Sequence, residues 1–381
     1  MSNCITFIGD PGPSIKTVLT TIRESGLTAK RIESADHAVS ILDREPPAAV
    51  ILDGSLRGTQ SFLEELRETR SLASIPVIMR LPELDPVLLS DGFRWGMDDF
   101  VIDGNVAQFA AFIALLGNKD SWNAVRAPAG EIILAHEDRQ ERAKFGRVLR
   151  RNGFDTYFAG SSDELVEAMQ KRDARAVIAS CDLPGTPPAE LILEARHREE
   201  EVPPAILVCG ADGIDELRRE LPEDKTLKYF ETGTDPEGVT FVLNELLAPP
   251  PIGARRSSRI LWAAPATFRI SGNENTMTGY TFNINLGGIY IRTLTSLPLQ
   301  TKIEVSFRPP FGRGEVFVDA QVVWRKQMGD TSGAASPPGM GLQFLDLWPA
   351  DAAAYETGYQ QLLDQTTTTP SAAAPHPAEA V

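Results

Sequence analysis

Ala49-Val50-Ile51-Leu52-Asp53 is the stretch on which the fold of the first third of the chain turns. Four apolar residues in a row, closed by one carboxylate, do not alternate as a half-exposed strand must. They suit a central strand of a parallel sheet, buried on both faces. Working outward from that strand, residues 1–120 alternate short β-branched runs with longer amphipathic segments, the pattern of parallel strands joined by crossover helices. The predicted strands are Ile5–Ile8, Thr28–Ile32, Ala49–Leu52, Val77–Met79 and Asp99–Ile102, with a helix over Ser14–Ser25 after the first.

Residues 130–248 repeat this order with predicted strands Ile132–Ala135, Asp155–Phe158, Ala176–Ser180, Ala205–Val208 and Lys228–Phe230. Setting Ile5 on Ile132 gives an offset of 127 that also carries Asp10 to Glu137 and Asp53 to Ser180. Equal spacing over two further landmarks indicates a duplicated domain.

A different regime follows. The segment Ala248-Pro249-Pro250-Pro251-Ile252-Gly253 cannot continue a helix, so residues 249–253 read as a semi-rigid linker. Beyond it strands succeed one another without helices between them: Thr267–Ile270, Gly279–Asn285, Ile289–Arg292, Lys302–Phe307, Val316–Trp324 and Met340–Phe344. Ile303, Val305 and Phe307 alternate with polar neighbours, as do Met340, Leu342 and Phe344, which fits an antiparallel sheet or small barrel over residues 254–365. Asp351 is placed as the cap of a final helix on which Tyr355, Tyr359, Leu362 and Leu363 share a face. The Ala/Pro/Thr-rich residues 366–381 hold too few core formers to fold and are expected to be disordered.

Composition narrows the functional classes. A chain of 381 residues with 42% hydrophobic content supports two or three domains, each with its own core. No apolar run reaches the roughly 18 residues of a membrane span, and the first ten residues lack a signal-peptide pattern, so a cytoplasmic location is expected. The three cysteines, Cys4, Cys181 and Cys209, have no paired spacing, which argues against a disulfide framework and against structural zinc. The net charge of −15 is unevenly placed: Pro251 to Pro349 holds ten Lys/Arg against six Asp/Glu, while residues 1–250 are strongly acidic. An anionic ligand would therefore bind the basic module, and DNA is not an expected partner of so acidic a chain.

Val50-Ile51-Leu52-Asp53 with Gly58, and Gly96-Met97-Asp98-Asp99-Phe100, give residues 1–120 a resemblance to the receiver domains of two-component response regulators. That resemblance implies a doubly wound, flavodoxin-like sheet and a phosphoacceptor at Asp53. The family's supporting chemistry is thinned: the paired acids read Gly9-Asp10, the lysine after the fifth strand falls on Asp103 and the switch hydroxyl on Leu81. Receiver phosphorylation needs a divalent cation on oxygen ligands, and Asp103 sets an anion where a cation would help. Asp53 is thus read as an inactive relic of the acceptor. In the second domain the matching positions are His136-Glu137, Ser180, Cys209 and Thr232, while Leu183-Pro184-Gly185 keeps the family's loop. Ser180 cannot form an acyl phosphate, and the His136-Glu137 pair reads as incidental. Both domains resemble pseudo-receivers, for which the family implies protein contacts or self-association.

After the linker come Arg255-Arg256-Ser257-Ser258-Arg259 and then Asn283-Ile284-Asn285-Leu286-Gly287-Gly288. Either segment alone is a bland feature, a basic surface run or a turn between strands. Together they resemble the PilZ signature, R-x-x-x-R followed by [D/N]-x-S-x-x-G, with further matches at Ala320-Gln321-Val322-Val323-Trp324 and Gly339-Met340-Gly341-Leu342-Gln343-Phe344. The resemblance implies a β-barrel with a terminal helix that binds cyclic di-GMP through Arg255, Arg259, Asn283 and Gly288, with Arg256 a third arginine and Asn285 at the serine position. The chemistry suits that ligand. Guanidinium gives paired donors to phosphate and stacks on purines, and side-chain amides read the edge of guanine. No nucleophile–base set or metal cluster points to an enzyme. The expected function is a non-enzymatic bacterial signalling protein, a cyclic di-GMP effector whose pseudo-receivers meet partners, with coupling through the linker. The alternative is a scaffold for motility or cell polarity that acts by protein contacts without nucleotide.

Overall fold

The computed structural model describes residues 3–12, 15–117, 129–197, 203–247, 257–312, 314–328, 330, 335–347 and 349–368. The linker 249–253, Arg255, Arg256 and the tail from residue 369 lie outside the described residues.

In the first domain β1 (Cys4–Ile8), β2 (Thr28–Ile32), β3 (Ala49–Asp53), β4 (Val77–Leu81) and β5 (Asp99–Ile102) form a parallel sheet in the order β2-β1-β3-β4-β5. Five helices join and cover the strands: α1 (Ile15–Glu24), α2 (Ala38–Arg44), α3 (Thr59–Glu68), α4 (Pro86–Trp95) and α5 (Val106–Gly117). All five residues of β3 are buried. Val50 and Leu52 enter the core on one side of the sheet, Ala49 and Ile51 the core on the other, which is why this strand shows no polar alternation. This strand order is the flavodoxin-like one shared by receiver domains.

The second domain repeats it. The strands β6 (Glu131–Ala135), β7 (Asp155–Ala159), β8 (Ala174–Ser180), β9 (Ala205–Cys209) and β10 (Leu227–Glu231) run in the order β10-β9-β8-β6-β7. Their helices are α6 (Arg139–Arg151), α7 (Ser162–Lys171), α8 (Pro188–His197), α9 (Ala211–Glu220) and α10 (Gly238–Leu247). The cysteine reading needs correction: Cys181 and Cys209 form a disulfide, with Cα atoms 5.2 Å apart. Ser180 pairs with Val208 across β8 and β9, so the next residue of each strand is brought together by the sheet. Their separation of 28 residues spans a crossover, and no local spacing announces it.

The third domain is all β before its last element. The strands β12 (Pro265–Ile270), β13 (Met277–Asn285), β14 (Gly288–Arg292), β15 (Lys302–Phe307), β16 (Val316–Lys326) and β17 (Gly339–Leu347) close an antiparallel barrel, β14 returning to β13. A two-residue strand unseen in the sequence, β11 (Ile260–Leu261), adds to β13. The final helix, α11 (Pro349–Thr368), begins before Asp351, so Asp351 is not its cap; its carboxylate accepts instead from the Phe317 backbone N–H at 3.1 Å. The helix also runs past residue 366, into the segment expected to be disordered.

The domains meet through direct packing as well as through the linker. Tyr280 of the barrel lies in the core of the first domain, its ring 4.7 Å from Phe93, and Leu294 joins the core on the opposite side of that sheet. Gln108 of α5 bonds both the backbone N–H and the carbonyl of Thr278. Arg292 is buried over the Phe93 ring and pairs with Glu237 of the second domain, which also pairs with Arg151. The linker is thus not the single route between domains that the sequence suggested.

Candidate ligand-binding site

The site begins with a hairpin. Asn283 and Asn285 end β13, Gly288 starts β14, and Leu286-Gly287 turn between them. The Asn285 side-chain oxygen accepts from the Gly287 N–H at 3.0 Å, the Asx turn that lets a short polar residue shape the chain after it. That bond takes one lone pair of the oxygen, and the NH₂ donor stays available to a ligand. Gly288 also has a packing role in the fold. A Cβ there would run into the Leu342 carbonyl, so the glycine lets β14 approach β17 and close the barrel, whereas a Cβ at Gly287 would meet only the Asn285 side-chain oxygen, at 4.0 Å.

Arg259 is exposed immediately before β11. Because Ile260 pairs with Ile284 and Leu261 with Asn283, the antiparallel register carries Arg259 toward the Asn285 end of β13. Asn283 is buried. Arg259 also lies close enough to act on Tyr290: burial pushes that phenol far above its ordinary range, against the pull of the Arg292 and Arg259 charges. Around these residues the backbone is tied down. The Leu286 N–H donates to the Ser257 hydroxyl at 3.2 Å, the Tyr355 hydroxyl donates to the Asn285 carbonyl at 2.7 Å, and the Tyr359 hydroxyl donates to the Ser258 carbonyl at 2.8 Å. The fold therefore gathers Arg259, Asn283, Asn285 and Gly288 at one end of the barrel. A permanent cation beside two amides can hold a planar anion.

At the receiver-like sheet ends the chemistry has been rebuilt. Asp53 is buried at the end of β3, where it accepts from the Asp10 N–H (3.1 Å), the Ser55 N–H (3.0 Å) and the Ser55 hydroxyl (2.7 Å). Gly9 is held close, since a Cβ there would come within 2.7 Å of the Asp53 Cβ. The expectation that Asp103 leaves Asp53 facing bare negative charge is corrected: Arg80 of β4 stands between them, 3.3 Å from Asp53 and 2.8 Å from Asp103. Burial raises the Asp53 pKa, but the Ser55 hydroxyl, the Ser55 and Asp10 amides and Arg80 outweigh it and hold the carboxyl below its ordinary value. The acidic pair after α4 also has new work. Asp98 forms a buried ion pair with Arg67 at 2.6 Å, and Asp99 accepts from Thr293 and Leu294 of the barrel.

In the second domain Ser180 and His136 are buried, and His136 Nδ1 accepts from the Asp138 N–H at 3.0 Å. Among the described residues no three His, Cys, Asp or Glu side chains gather as a metal site. Sequence reasoning passed over Arg80, Arg67 and Arg292, and gave the two tyrosines of α11 a shared helix face without their bonds to the hairpin and the leader. The signal for Arg80 was a lone arginine inside Val77-Ile78-Met79-Arg80-Leu81, where solvation alone would not place it.

Residues 254–358 match the PilZ domain family. No curated protein matches the sequence. Among solved structures the chain is similar to YcgR from Escherichia coli, crystallised in complex with c-di-GMP, at 20% identity over 31% of this chain and 49% of that one, with a TM-score of 0.24. It is similar to MotI/DgrA, the inhibitor of motility of Bacillus subtilis, at 15% identity over 32% of this chain and 58% of that one (TM-score 0.26). It is also similar to a CheY-like receiver domain from Methylobacillus flagellatus, at 19% identity over 31% and 98% (TM-score 0.27). The chain thus spans between 49% and 58% of the length of the first two. No helix among the described residues is long and apolar enough to cross a membrane. The sequence match and the barrel make residues 254–358 a PilZ domain, carried behind two receiver-like α/β domains.

Proposed function

We propose that this protein is a non-enzymatic signalling effector whose PilZ domain binds cyclic di-GMP, its receiver-like domains serving protein contacts. The observation that carries the reading is the strand register that brings Arg259 to the same barrel end as Asn283 and Asn285, inside a segment that matches the PilZ family. In this reading Arg259, joined by Arg255 and Arg256, contacts the phosphates or stacks on guanine. The Asn285 NH₂ and the Asn283 amide address the base edge, and Gly288 lets β14 close against β17 behind them. A cytoplasmic location accords with that ligand.

The reading is tested by titrating the full chain with cyclic di-GMP and comparing Arg259→Ala with Arg325→Ala. Both variants lose one positive charge, so a general field effect would weaken them alike and fade with salt. A charge-assisted contact is worth about 1.5–3 kcal/mol, roughly one to two decades in affinity, so Arg259→Ala should stand apart. The scaffold alternative draws on one observation, the amide in place of a hydroxyl at Asn285. Failure of both the native chain and Asn285→Ser to bind at high micromolar nucleotide would decide for it.

A further inference from the structure

Two tyrosines of the last helix reach separate halves of the candidate site. Tyr355 and Tyr359 are one helical turn apart and therefore lie on one face. Both are almost fully buried, at 2% and 1% exposure. Their rings are set in the barrel core, Tyr355 edge-on to Phe307 (5.8 Å) and Phe344 (5.4 Å). Gly358 between them fits so closely that a Cβ would strike the Pro310 carbonyl, so the helix cannot settle elsewhere on the barrel without rearrangement. From this fixed base the Tyr355 hydroxyl bonds the Asn285 carbonyl on the hairpin, and the Tyr359 hydroxyl bonds the Ser258 carbonyl on the arginine leader. Burial raises both phenol pKa values, so the groups remain neutral donors across ordinary pH.

We propose that Tyr355 and Tyr359 are positioning residues of the ligand site, a two-point clamp that holds the leader and the hairpin in register before any ligand arrives; this rests on the reading of that site given above. Apolar packing alone would ask only for two rings, and phenylalanine would serve. The hydroxyls are what connect the core to the site, and together with the Ser257–Leu286 bond they join three separate chain segments. Holding a loop in its bound geometry removes an ordering cost that binding would otherwise meet. Arg259, directly after the clamped Ser258, is the residue that benefits.

The test uses the full chain with Tyr355→Phe, Tyr359→Phe and the double substitution, which keep the rings. Two readouts are taken: amide hydrogen exchange over residues 257–262 and 284–288 without ligand, and the dissociation constant for cyclic di-GMP. Exchange should accelerate in those two segments while the rest of the barrel is unchanged. Each variant should bind roughly 2- to 10-fold more weakly, the range expected for one neutral hydrogen bond, with the melting temperature little altered. A purely structural role would lower the melting temperature and leave the dissociation constant alone, which overturns the proposal. Unchanged exchange in the double variant overturns it too. A native chain that binds no nucleotide refutes the ligand reading and with it any role of the clamp in ligand binding, while the exchange data then report whether the tyrosines order the two segments.

Discussion

Asp99 lies at the seam between the first domain and the barrel, and its titration should be visible in the stability of the whole protein. The carboxylate is 2% exposed. One oxygen accepts from the Phe100 N–H (2.9 Å), the other from the Leu294 N–H (2.7 Å) and the Thr293 hydroxyl (2.9 Å). Burial pushes its pKa from 3.8 up to about 7, over the opposing pull of those three donors and of Arg292. A folded state that binds the proton more tightly than the unfolded chain is favoured at low pH, so this group's contribution is fully present below about pH 4 and is lost as pH rises to about 7. Between pH 5 and pH 8 the loss comes to roughly 2–3 kcal/mol, at about 1.4 kcal/mol per pKa unit.

Asp99→Asn keeps the shape and removes the titration. Urea unfolding of both proteins, followed by tryptophan fluorescence at pH 5, 6, 7 and 8, isolates the effect in the difference between them, because all other ionisable groups are shared. The native protein should lose stability relative to the variant by about that amount across the series, nearly all of it below pH 7.5. A difference that stays constant from pH 5 to pH 8 would refute the reasoning.

Incubation with a small phosphodonor and Mg²⁺ should leave Asp53 unmodified, because its oxygens are already bonded to Ser55 and Asp10 and paired with Arg80; acid-labile phosphate found there by mass spectrometry would show the contrary. Gly288→Ala should destabilise the barrel by about 1–3 kcal/mol, since the new methyl meets backbone at the closing seam. Gly287→Ala, whose methyl would meet nothing nearer than the Asn285 side-chain oxygen at 4.0 Å, should leave the melting temperature nearly unchanged, and equal effects would contradict the assignment. Residues 254–365 expressed alone should fold around their own core, and because Tyr280 and Leu294 would be stripped of their partners, the fragment should be more prone to associate than the full chain. An unfolded fragment by circular dichroism would disprove the independent core.

The sheets were legible because burial on two faces and burial on one leave different marks on sequence. Val50-Ile51-Leu52 and the alternation of Ile303, Val305 and Phe307 gave the architecture without any long-range information. The candidate site residues were named from their chemistry and spacing, and the contacts that hold them come from elsewhere in the fold. Nothing local says that Gly288 is required by the Leu342 carbonyl, because that constraint comes from a strand more than fifty residues away. For the same reason the Cys181–Cys209 pair, Arg80 between two carboxylates and the α11 tyrosines were invisible as partners. Asp98 and Asp99 are the instructive case: their motif led to the right fold, whereas their present contacts are to Arg67 and to the barrel.

The strand β14 has two ends with two different neighbourhoods. Gly288 belongs to the hairpin of the candidate site, while Arg292 at the other end, with Thr293 and Leu294 just beyond, is embedded among Glu237, Phe93 and Asp99. All five residues between these ends inclusive are buried, and the strand is bonded along both edges, to β13 and to β17. In mechanical terms it is a strut without slack, about 17 Å long at the usual rise of a strand. A push on the hairpin has no loop in which to be absorbed before it reaches the point where all three domains touch. Lengthening the proline segment would then slacken a tether and leave this strut as stiff as before.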